Sequence, residues 1–398
     1  MVLRHNLLKC WLCGFEQEFS PNDYFCPHCR QPMLFNTSIP KEVSGTGRPT
    51  ASLKEFIEFL PLKNYQSRLS LGEGRTPLIP LKLSDSRISL LAKLEANNPT
   101  LSFKDRGSAV VMQKITELGW KKVGTVSTGN MASSTAAYAA RAGLQAVLLV
   151  KKGTSPAALL SSAVFRPVII EVDGDYGQLF WKSLEVGKKL EIYFANSVDP
   201  LRIEGYKLTA FEICQELKRA PDFVFVPVSS GGHFVGLFKG FYEMKQAGFT
   251  DRLPVMVGVQ AEGCSPLAKA FEAGEKSFSR IKEAETIAHS IANPDPPAGN
   301  LVLHLSGEYK GWLTSVTDEE MMEAQGKLAE AEGLFVQPES ASTLAAFQKL
   351  RSRISGTVVL IMTGQGLKAA HQPSPTGLNY FRSNLEEIDK VLKSIFEK

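Results

Sequence analysis

The sequence predicts an α/β protein with parallel sheets. Short apolar segments recur along the chain and alternate with longer segments of helical pattern. Within the short segments successive residues are apolar, as expected for parallel strands that are covered on both faces. The predicted strands lie at 89–95, 123–127, 146–150, 168–172, 223–228, 255–259 and 358–362. In such folds ligands bind at the carboxyl ends of the strands, so the loops that follow them are the first candidates for function.

The composition is that of an ordinary globular protein. Of 398 residues, 43% are hydrophobic and 22% are charged, and the net charge is +4. So small a positive excess gives no reason to expect binding to nucleic acid or to an anionic membrane. No apolar run reaches the ~20 residues of a membrane span, and the first ten residues lack the apolar core of a signal peptide. We therefore expect a cytoplasmic protein that binds neither nucleic acid nor membrane.

Residues 1–35 form a separate unit that carries two C-x-x-C pairs. Each pair presents two thiolates to one tetrahedral ion, and so small a segment would depend on a metal to fold. We predict a zinc-ribbon-like segment whose structural Zn²⁺ is bound by Cys10, Cys13, Cys26 and Cys29. A redox-active disulfide pair is the alternative. We interpret the segment as an appendage, so that Cys10→Ser should loosen it and leave the rest of the protein folded.

The two remaining cysteines, Cys214 and Cys264, stand alone in the sequence. Free thiols of this kind suit a reducing compartment. Residues 36–60 are interpreted as a linker, with flexible composition at 44–49, that leads into a short helix.

Lys104 is the first candidate for chemistry. It follows a turn-forming run at 97–100 and precedes a helical pattern at 108–115. A helix start offers unpartnered N–H groups, which disfavour a second positive charge and push a lysine toward its neutral amine. A neutral amine can form a Schiff base with a carbonyl group, as pyridoxal phosphate requires. A solvated surface lysine is the alternative interpretation.

Three loops after predicted strands carry small or polar residues. The segment 127–130 (Ser-Thr-Gly-Asn) precedes a helix and suits an anion or a ring oxygen, with a plain N-cap by Asn130 as the alternative. The segment 229–233 (Ser-Ser-Gly-Gly-His) lets backbone N–H groups converge on a phosphate, with an ordinary tight turn as the alternative. In the third loop, Thr363 offers a neutral hydroxyl to a cofactor ring, and the P-loop spacing is absent.

Six motifs between about residues 70 and 370 extend this pattern. They are EGRTPL at 73–78, NPT with SFKDRG at 98–107, STGN at 127–130, NS with RIEG at 196–205, EGLFV with PESA at 332–341, and TGQGLK at 363–368. In this order they resemble the threonine synthase branch of the fold type II pyridoxal-phosphate enzymes. The resemblance implies a tryptophan synthase β-like fold with two parallel-sheet α/β domains, a homodimer, and an N-terminal zinc-ribbon-like knuckle as in some relatives. The implied domains are 1–35, a larger cofactor-binding domain of 36–100 plus 205–398, and a smaller domain of 101–204.

The resemblance also implies roles for individual residues. Lys104 would hold the cofactor aldehyde, Asn130 the ring hydroxyl oxygen, and Thr363 the pyridine nitrogen. The cofactor phosphate would be bound by Ser229, Ser230, Gly231, Gly232 and His233. Ser127 and Thr128 would hold the substrate carboxylate. Ser197 and Arg202 would contact a substrate phosphate, a task that suits the guanidinium fork.

The implied activity is that of a carbon–oxygen lyase in threonine biosynthesis, which converts O-phospho-L-homoserine and water to L-threonine and phosphate. Lys104 would remove the Cα proton and later a proton at Cβ. Phosphate would leave from Cγ, and water would add at Cβ.

Four positions depart from the family pattern. Ser230 and His233 replace the usual asparagines, Met131 replaces the usual threonine after Asn130, and Leu101 replaces the usual glycine before Ser102. Loss of hydrogen-bonding side chains near a substrate changes which leaving group is accepted. A second hypothesis is therefore a paralogue that catalyses β-elimination or β-replacement on serine, threonine or O-phosphoserine. A third is a catalytically silent zinc-ribbon binding protein, which predicts loss of the lysine or the phosphate loop.

Overall fold

A computed structural model describes residues 6–37, 39–40, 52–368, 392 and 395. The proposed flexible linker at 44–49 lies outside the described residues. The strands are β1 (Leu7–Lys9), β2 (Glu16–Glu18), β3 (Leu34–Phe35), β4 (Leu78–Pro80), β5 (Ile88–Lys93), β6 (Lys122–Val126), β7 (Gln145–Lys151), β8 (Val168–Val172), β9 (Tyr193–Phe194), β10 (Phe223–Pro227), β11 (Val255–Ala261), β12 (Trp312–Val316) and β13 (Gly356–Ile361).

Helices alternate with these strands. They are α1 (Ser52–Glu55), α2 (Lys104–Glu117), α3 (Asn130–Ala142), α4 (Pro156–Ala163), α5 (Tyr176–Leu190), α6 (Pro200–Tyr206), α7 (Leu208–Leu217), α8 (Gly232–Gln246), α9 (Pro266–Glu272), α10 (Gly299–Glu308), α11 (Asp318–Glu332) and α12 (Pro338–Leu350). Helix α3 ends at Ala142, because Gly143 takes the left-handed conformation at its C-cap. No helix within the described ranges has the length and apolar character needed to cross a bilayer.

The strands form two larger sheets and one small one. The six-stranded sheet has the order β12-β11-β10-β13-β5-β4 and is parallel except at β4. The four-stranded sheet has the order β8-β7-β6-β9 and is parallel throughout. This confirms the predicted α/β class with two parallel sheets. We propose that each sheet centres one of the predicted domains, 36–100 with 205–398 and 101–204.

Every strand predicted from an apolar segment is present, but two expectations need correction. Strand β8 is an edge strand, and Val168 and Ile170 are 42% and 45% exposed, so burial on both faces is wrong for this strand. Strand β12 was missed because its sequence, WLTSV, mixes polar and apolar residues, as suits the edge of the larger sheet.

The N-terminal module, defined as residues 6–35, packs against elements around both larger sheets. The Asn22 side chain donates to the carbonyl of Ile192 at 2.9 Å and accepts from the N–H of Phe194 in β9 at 2.8 Å. Gln31 accepts from the N–H of Leu301 in α10 at 3.0 Å. The ring of Trp11 lies 5.2 Å from that of Tyr242 in α8. The interpretation of this segment as an appendage is therefore wrong, because its buried contacts join elements from both parts of the chain.

Helices α2 and α6 approach each other closely because glycines face the contact. A Cβ at Gly107 would lie 2.7 Å from the ring of Tyr206, and a Cβ at Gly205 would overlap the carbonyl oxygen of Arg106. Only hydrogen fits in either place. The contact fixes the first turn of α2, which carries Lys104, beside the helix that carries Arg202.

We expect Gly205→Ala to destabilise the protein by about 1–3 kcal/mol, the usual effect of overpacking a tight contact. The urea midpoint measured by circular dichroism tests this. Gly326→Ala is the matched control, since Gly326 lies inside α11 and no atom lies within 4 Å of its would-be Cβ. The control should gain about 0.5–1 kcal/mol from helix propensity. A Gly205→Ala protein as stable as the control would contradict the close contact.

Candidate active site

A cavity of about 800 Å³ opens at the carboxyl ends of the parallel strands. The loops after β6, β10 and β13 line it, together with the start of α2. The cavity thus brings together almost all the predicted site residues, which are Lys104, Ser127, Thr128, Asn130, Ser197, Ser229, Ser230, Gly231, Gly232, His233 and Thr363. Arg202 does not line it.

Lys104 is the first residue of α2 and faces aromatic rings. Its Nζ lies 4.3 Å from the ring centre of Phe103 and 5.8 Å from that of Tyr206. Burial lowers the pKa of Lys104 to about 7, with a further contribution from the charge of Arg202. A large share of the side chain is therefore a neutral amine at physiological pH. The sequence also predicts a neutral amine, but on the ground of the helix start, whereas the causes here are desolvation and the charge of Arg202.

Ion pairs and a backbone hydrogen bond hold the start of α2 in place. Arg106 is 1% exposed and forms paired hydrogen bonds with Glu95 at 2.6 and 2.7 Å and with Glu212 at 2.7 Å. The N–H of Phe103 donates to the carbonyl of Thr363 at 3.1 Å, so the lysine segment is also tied to the loop after β13. Leu101, where the family usually has glycine, has a φ of +65°. Its left-handed backbone explains why glycine suits that position.

Asn130 and Thr363 face the cavity from the two larger sheets. The Asn130 amide donates to Gln337 Oε1 at 2.8 Å, and the hydroxyls of Ser340 and Thr363 lie 2.8 Å apart. Gly129 is the N-cap of α3 and Asn130 is its first residue, so the alternative of a plain N-cap by Asn130 is wrong. Sequence reasoning missed Gln337 as a partner, although it stands between the two halves of the fifth motif.

The loop 229–233 is shaped for an anion. Gly231 has a φ of +90°, and a Cβ there would lie 2.9 Å from Val302. A Cβ on Gly232, the first residue of the 15-residue helix α8, would overlap the carbonyl oxygen of Ser197. The hydroxyl of Ser230 accepts from Asn293 at 2.9 Å, which fixes the loop. Free N–H groups and the helix dipole at such a start favour a phosphate.

His233 is buried against this loop with neither ring nitrogen hydrogen bonded within the described part of the chain. Its ring stacks on Phe103 at 3.8 Å and 13°. Burial, then the charges of Lys104 and Arg106, hold its pKa well below the ordinary value, so the ring is neutral. A buried polar group without a partner calls for one, and a bound anion would accept from its N–H.

Ser127, Thr128 and Ser197 occupy the remaining polar wall. Ser127 Oγ accepts from the N–H of Gly129 at 3.3 Å, and Ser197 Oγ lies 3.2 Å from the hydroxyl of Tyr176. Ser127 and Thr128 precede α3, whose first N–H groups face the same space. This wall therefore combines hydroxyl groups with a helix start.

The structure does not bring Arg202 into the cavity. The residue is fully buried, and its guanidinium donates to the carbonyl of Ala195 at 2.8 Å and to the hydroxyls of Ser108 at 3.0 Å and Thr135 at 2.6 Å. The motif RIEG identifies the arginine but does not reveal in which direction its side chain points. Because these three acceptors lie behind the cavity wall, they satisfy the side chain away from the substrate space.

The four cysteines of the N-terminal module converge on one point. Their sulfur atoms all lie within 4.8 Å of one another. The Cys10–Cys29 and Cys13–Cys26 sulfur pairs are 3.4 Å apart. Tetrahedral Zn²⁺ with Zn–S bonds of about 2.3 Å requires sulfur separations of about 3.8 Å, so the cluster is close to that geometry.

Comparison with known proteins places this geometry in a class. The family described as "Pyridoxal-phosphate dependent enzyme" matches residues 69–364. The threonine synthase of Methanocaldococcus jannaschii is 39% identical over 322 residues, 79% of this chain and 80% of that protein. The threonine synthase of Methanosarcina acetivorans is 34% identical over 98% of this chain and 99% of its own length. The chain therefore belongs to the pyridoxal-phosphate-dependent enzymes and, within them, to the threonine synthase branch.

Solved structures agree on the fold. Maize serine racemase superposes with a TM-score of 0.65 at 18% identity, covering 88% of this chain and 99% of that one. The fungal L-serine ammonia-lyase of Rhizomucor miehei gives 0.61 at 21% identity, covering 73% of this chain and 94% of that one. These neighbours confirm the predicted fold type II architecture.

The described residues fit the family's cofactor. Lys104 supplies a neutral amine, and the glycine loop before α8 leaves room for a phosphate where any Cβ would clash. The unpartnered ring nitrogens of His233 lie at the same loop. Pyridoxal phosphate needs an amine for its aldehyde and N–H donors for its phosphate, and both are present in one cavity.

We expect cofactor-free protein to take up pyridoxal phosphate with a pH midpoint near 7. The pKa of Lys104 is about 7 rather than its ordinary 10.5, so the reactive amine forms as the pH rises through 7. The midpoint is measured from the rate at which the absorbance of pyridoxal phosphate changes at each pH. Lys104→Ala is the control and should show no attachment. A midpoint above pH 9 would contradict the buried, desolvated lysine.

Proposed function

We propose that the protein is a threonine synthase that converts O-phospho-L-homoserine and water to L-threonine and phosphate. The observation that carries the proposal is the convergence of Lys104, the 127–130 loop and the 229–233 loop on one cavity. Relatives of 34–39% identity that are named threonine synthases support the choice of reaction.

We propose that Lys104 would hold the cofactor aldehyde, Asn130 the ring hydroxyl and Thr363 the ring nitrogen. The residues that would hold its phosphate are Ser229, Ser230, Gly231, Gly232 and His233. When bound, pyridoxal phosphate supplies an electron sink for negative charge at the substrate carbon next to the amino group. Thr363, paired with Ser340, presents a neutral hydroxyl rather than a carboxylate to the ring.

Lys104 is the proton-transfer group. Its Nζ takes the proton from Cα and later one from Cβ of the substrate, and a pKa of about 7 lets it both accept and return protons near neutral pH. Ser127, Thr128 and the first N–H groups of α3 orient the substrate carboxylate. Ser197, supported by Tyr176, donates to the leaving phosphate.

Arg202 acts from behind the cavity wall. Direct contact with a substrate phosphate would require its guanidinium to leave Ser108, Thr135 and Ala195. We propose instead that its buried charge favours the neutral form of Lys104.

One observation favours a second candidate, β-elimination or β-replacement on serine, threonine or O-phosphoserine. Met131 lines the cavity where the family usually has threonine, and its thioether donates no hydrogen bond. With Arg202 outside the cavity as well, the wall has fewer groups for a phosphate leaving group than the resemblance implies.

We also propose that Cys10, Cys13, Cys26 and Cys29 bind a structural Zn²⁺, on the basis of their clustered sulfur atoms. The family resemblance supports a homodimer, and the single cysteines Cys214 and Cys264 suit the cytoplasm.

We expect the holoenzyme to release L-threonine and phosphate from O-phospho-L-homoserine. Lys104→Ala should lower turnover by at least about 10³-fold, because both the attachment amine and the proton carrier are lost. Amino-acid analysis and phosphate release measure the products, and Lys327→Ala, an exposed change in α11, is the control. Turnover only of serine, threonine or O-phosphoserine would replace the first candidate by the second. Undiminished turnover by Lys104→Ala would overturn both.

We expect Cys10→Ser to lose Zn²⁺ and to lower Tm by ~5 °C or more, because the docked module stabilises the rest of the chain. Elemental analysis and thermal unfolding of the holoenzyme measure the two effects. Cys264→Ala, a buried cysteine outside the cluster, should keep its Zn²⁺. Unchanged Tm with loss of metal would contradict the stabilising role of the docked module.

A further inference from the structure

Lys368 is a cavity residue to which neither the motif analysis nor the proposed mechanism gives a role. It ends the helical turn Gly366–Lys368 and lines the cavity. Its Nζ donates to the carbonyl of Thr100 at 2.7 Å and to the hydroxyl of Ser133 at 3.4 Å. Both acceptors are uncharged, and no carboxylate among the described residues lies within ion-pair distance of this ammonium. Asp105, the charge that supports it, is hydrogen bonded to Thr100 at 2.6 Å.

Within the part of the chain that the structure describes, this ammonium has donor capacity left for a ligand. A lysine offers three N–H donors, and Thr100 and Ser133 account for two of them. Burial lowers its pKa to about 8, opposed by Asp105, so the group is mostly charged at neutral pH. A partly buried charge with neutral partners attracts an anion strongly, because little solvent screens it.

Three other basic groups near the cavity differ from Lys368 in role, position or charge. Lys104 is the other lysine among the described lining residues. Its amine has the attachment and proton-transfer role proposed above. Arg202 lies behind the wall, and His233 is neutral. Lys368 is therefore the lining lysine that can act as a fixed positive charge.

A chain of hydrogen bonds connects Lys368 to the loop proposed for the substrate carboxylate. Ser133, which accepts from Lys368, donates to the carbonyl of Gly129 at 3.2 Å. The N–H of Gly129 donates to Ser127 Oγ at 3.3 Å. Lys368 thus lies beside the first turn of α3, where free N–H groups already favour an anion.

We propose that Lys368 supplies the positive charge of the carboxylate subsite and binds the α-carboxylate of the substrate together with Ser127 and Thr128. The proposal rests on the proposed function only in requiring an α-amino acid as substrate. It is independent of the leaving group, and it predicts that the cavity binds amino acids more tightly than amines that lack a carboxylate.

Binding of three unreactive probes to the holoenzyme tests this. L-Norvaline has a carboxylate, 3-aminopropylphosphonate has a phosphonate without a carboxylate, and 2-amino-5-phosphonopentanoate has both. The cofactor absorbance reports Kd for each. Lys368→Met should weaken the two carboxylate probes by about 10- to 100-fold, the value of one charge-assisted hydrogen bond, and leave 3-aminopropylphosphonate unchanged. Lys368→Arg should recover most of the loss.

Lys349→Met is the matched control, since Lys349 also donates to a backbone carbonyl, that of Ser315 at 2.9 Å, and does not line the cavity. If Lys368→Met does not fold, Lys368→Gln keeps an N–H donor for Thr100 and gives the same comparison. Weakening of all three probes to the same degree would show a structural role and overturn the proposal. If Lys368→Met weakened binding of 3-aminopropylphosphonate but not of norvaline, Lys368 would be assigned to the leaving group. That result would also overturn the proposal.

The same measurement separates this proposal from the proposed function. Wild-type holoenzyme that binds norvaline through Lys368 but makes no threonine from O-phospho-L-homoserine would overturn the threonine synthase assignment alone. Wild-type holoenzyme that binds none of the probes would overturn the carboxylate subsite.

Discussion

The ion pairs of Arg106 with Glu95 and Glu212 are the constraint on which the site depends. Arg106 lies two residues after Lys104, and its two carboxylate partners come from the turn after β5 and from α7. Buried charges are costly to desolvate, and such a cluster is tolerated only when every donor and acceptor is satisfied. Here the paired geometry is complete, so the first turn of α2 can take only one position relative to the larger sheet. Lys104, the proposed attachment and proton-transfer group, is fixed in place with that turn.

The two buried arginines of this region differ in the groups that bind their guanidinium ions. Arg106 is neutralised by two carboxylates, whereas the guanidinium of Arg202 donates to one carbonyl and two hydroxyls. A buried charge acts over several ångströms because little water screens it. Arg202 therefore lowers the pKa of Lys104 without touching it, and it adds to the desolvation that is the main cause. Arg106 fixes the position of the Lys104 amine, and Arg202 contributes to the lowering of its pKa.

Sequence reasoning correctly predicted that the loops after the parallel strands lie together. Ser127, Thr128, Ser229 and Thr363 were predicted to share a site because each follows a strand, and parallel strands end at one edge. It failed where side-chain direction depends on distant residues. The sequence does not reveal that Ser108 and Thr135 hold the guanidinium of Arg202 away from the cavity. It also does not reveal that Asn22 and Gln31 have buried partners on β9 and α10, because such pairings are decided by the assembled fold.

The docking of the N-terminal module has a consequence for biosynthesis. All four cysteines have been made by residue 29, but Asn22 bonds to Ile192 and Gln31 to Leu301, which are 170 and 270 positions further along the chain. At ribosomal rates of about 5–20 residues per second, the later partner follows roughly 10–50 seconds after the module. During that interval Trp11 and Phe25 lack the side chains that cover them in the folded chain, which are Tyr242 of α8 and Trp181 of α5. The nascent chain thus carries an exposed apolar surface that helices α5, α8 and α10 and strand β9 cover once they are complete.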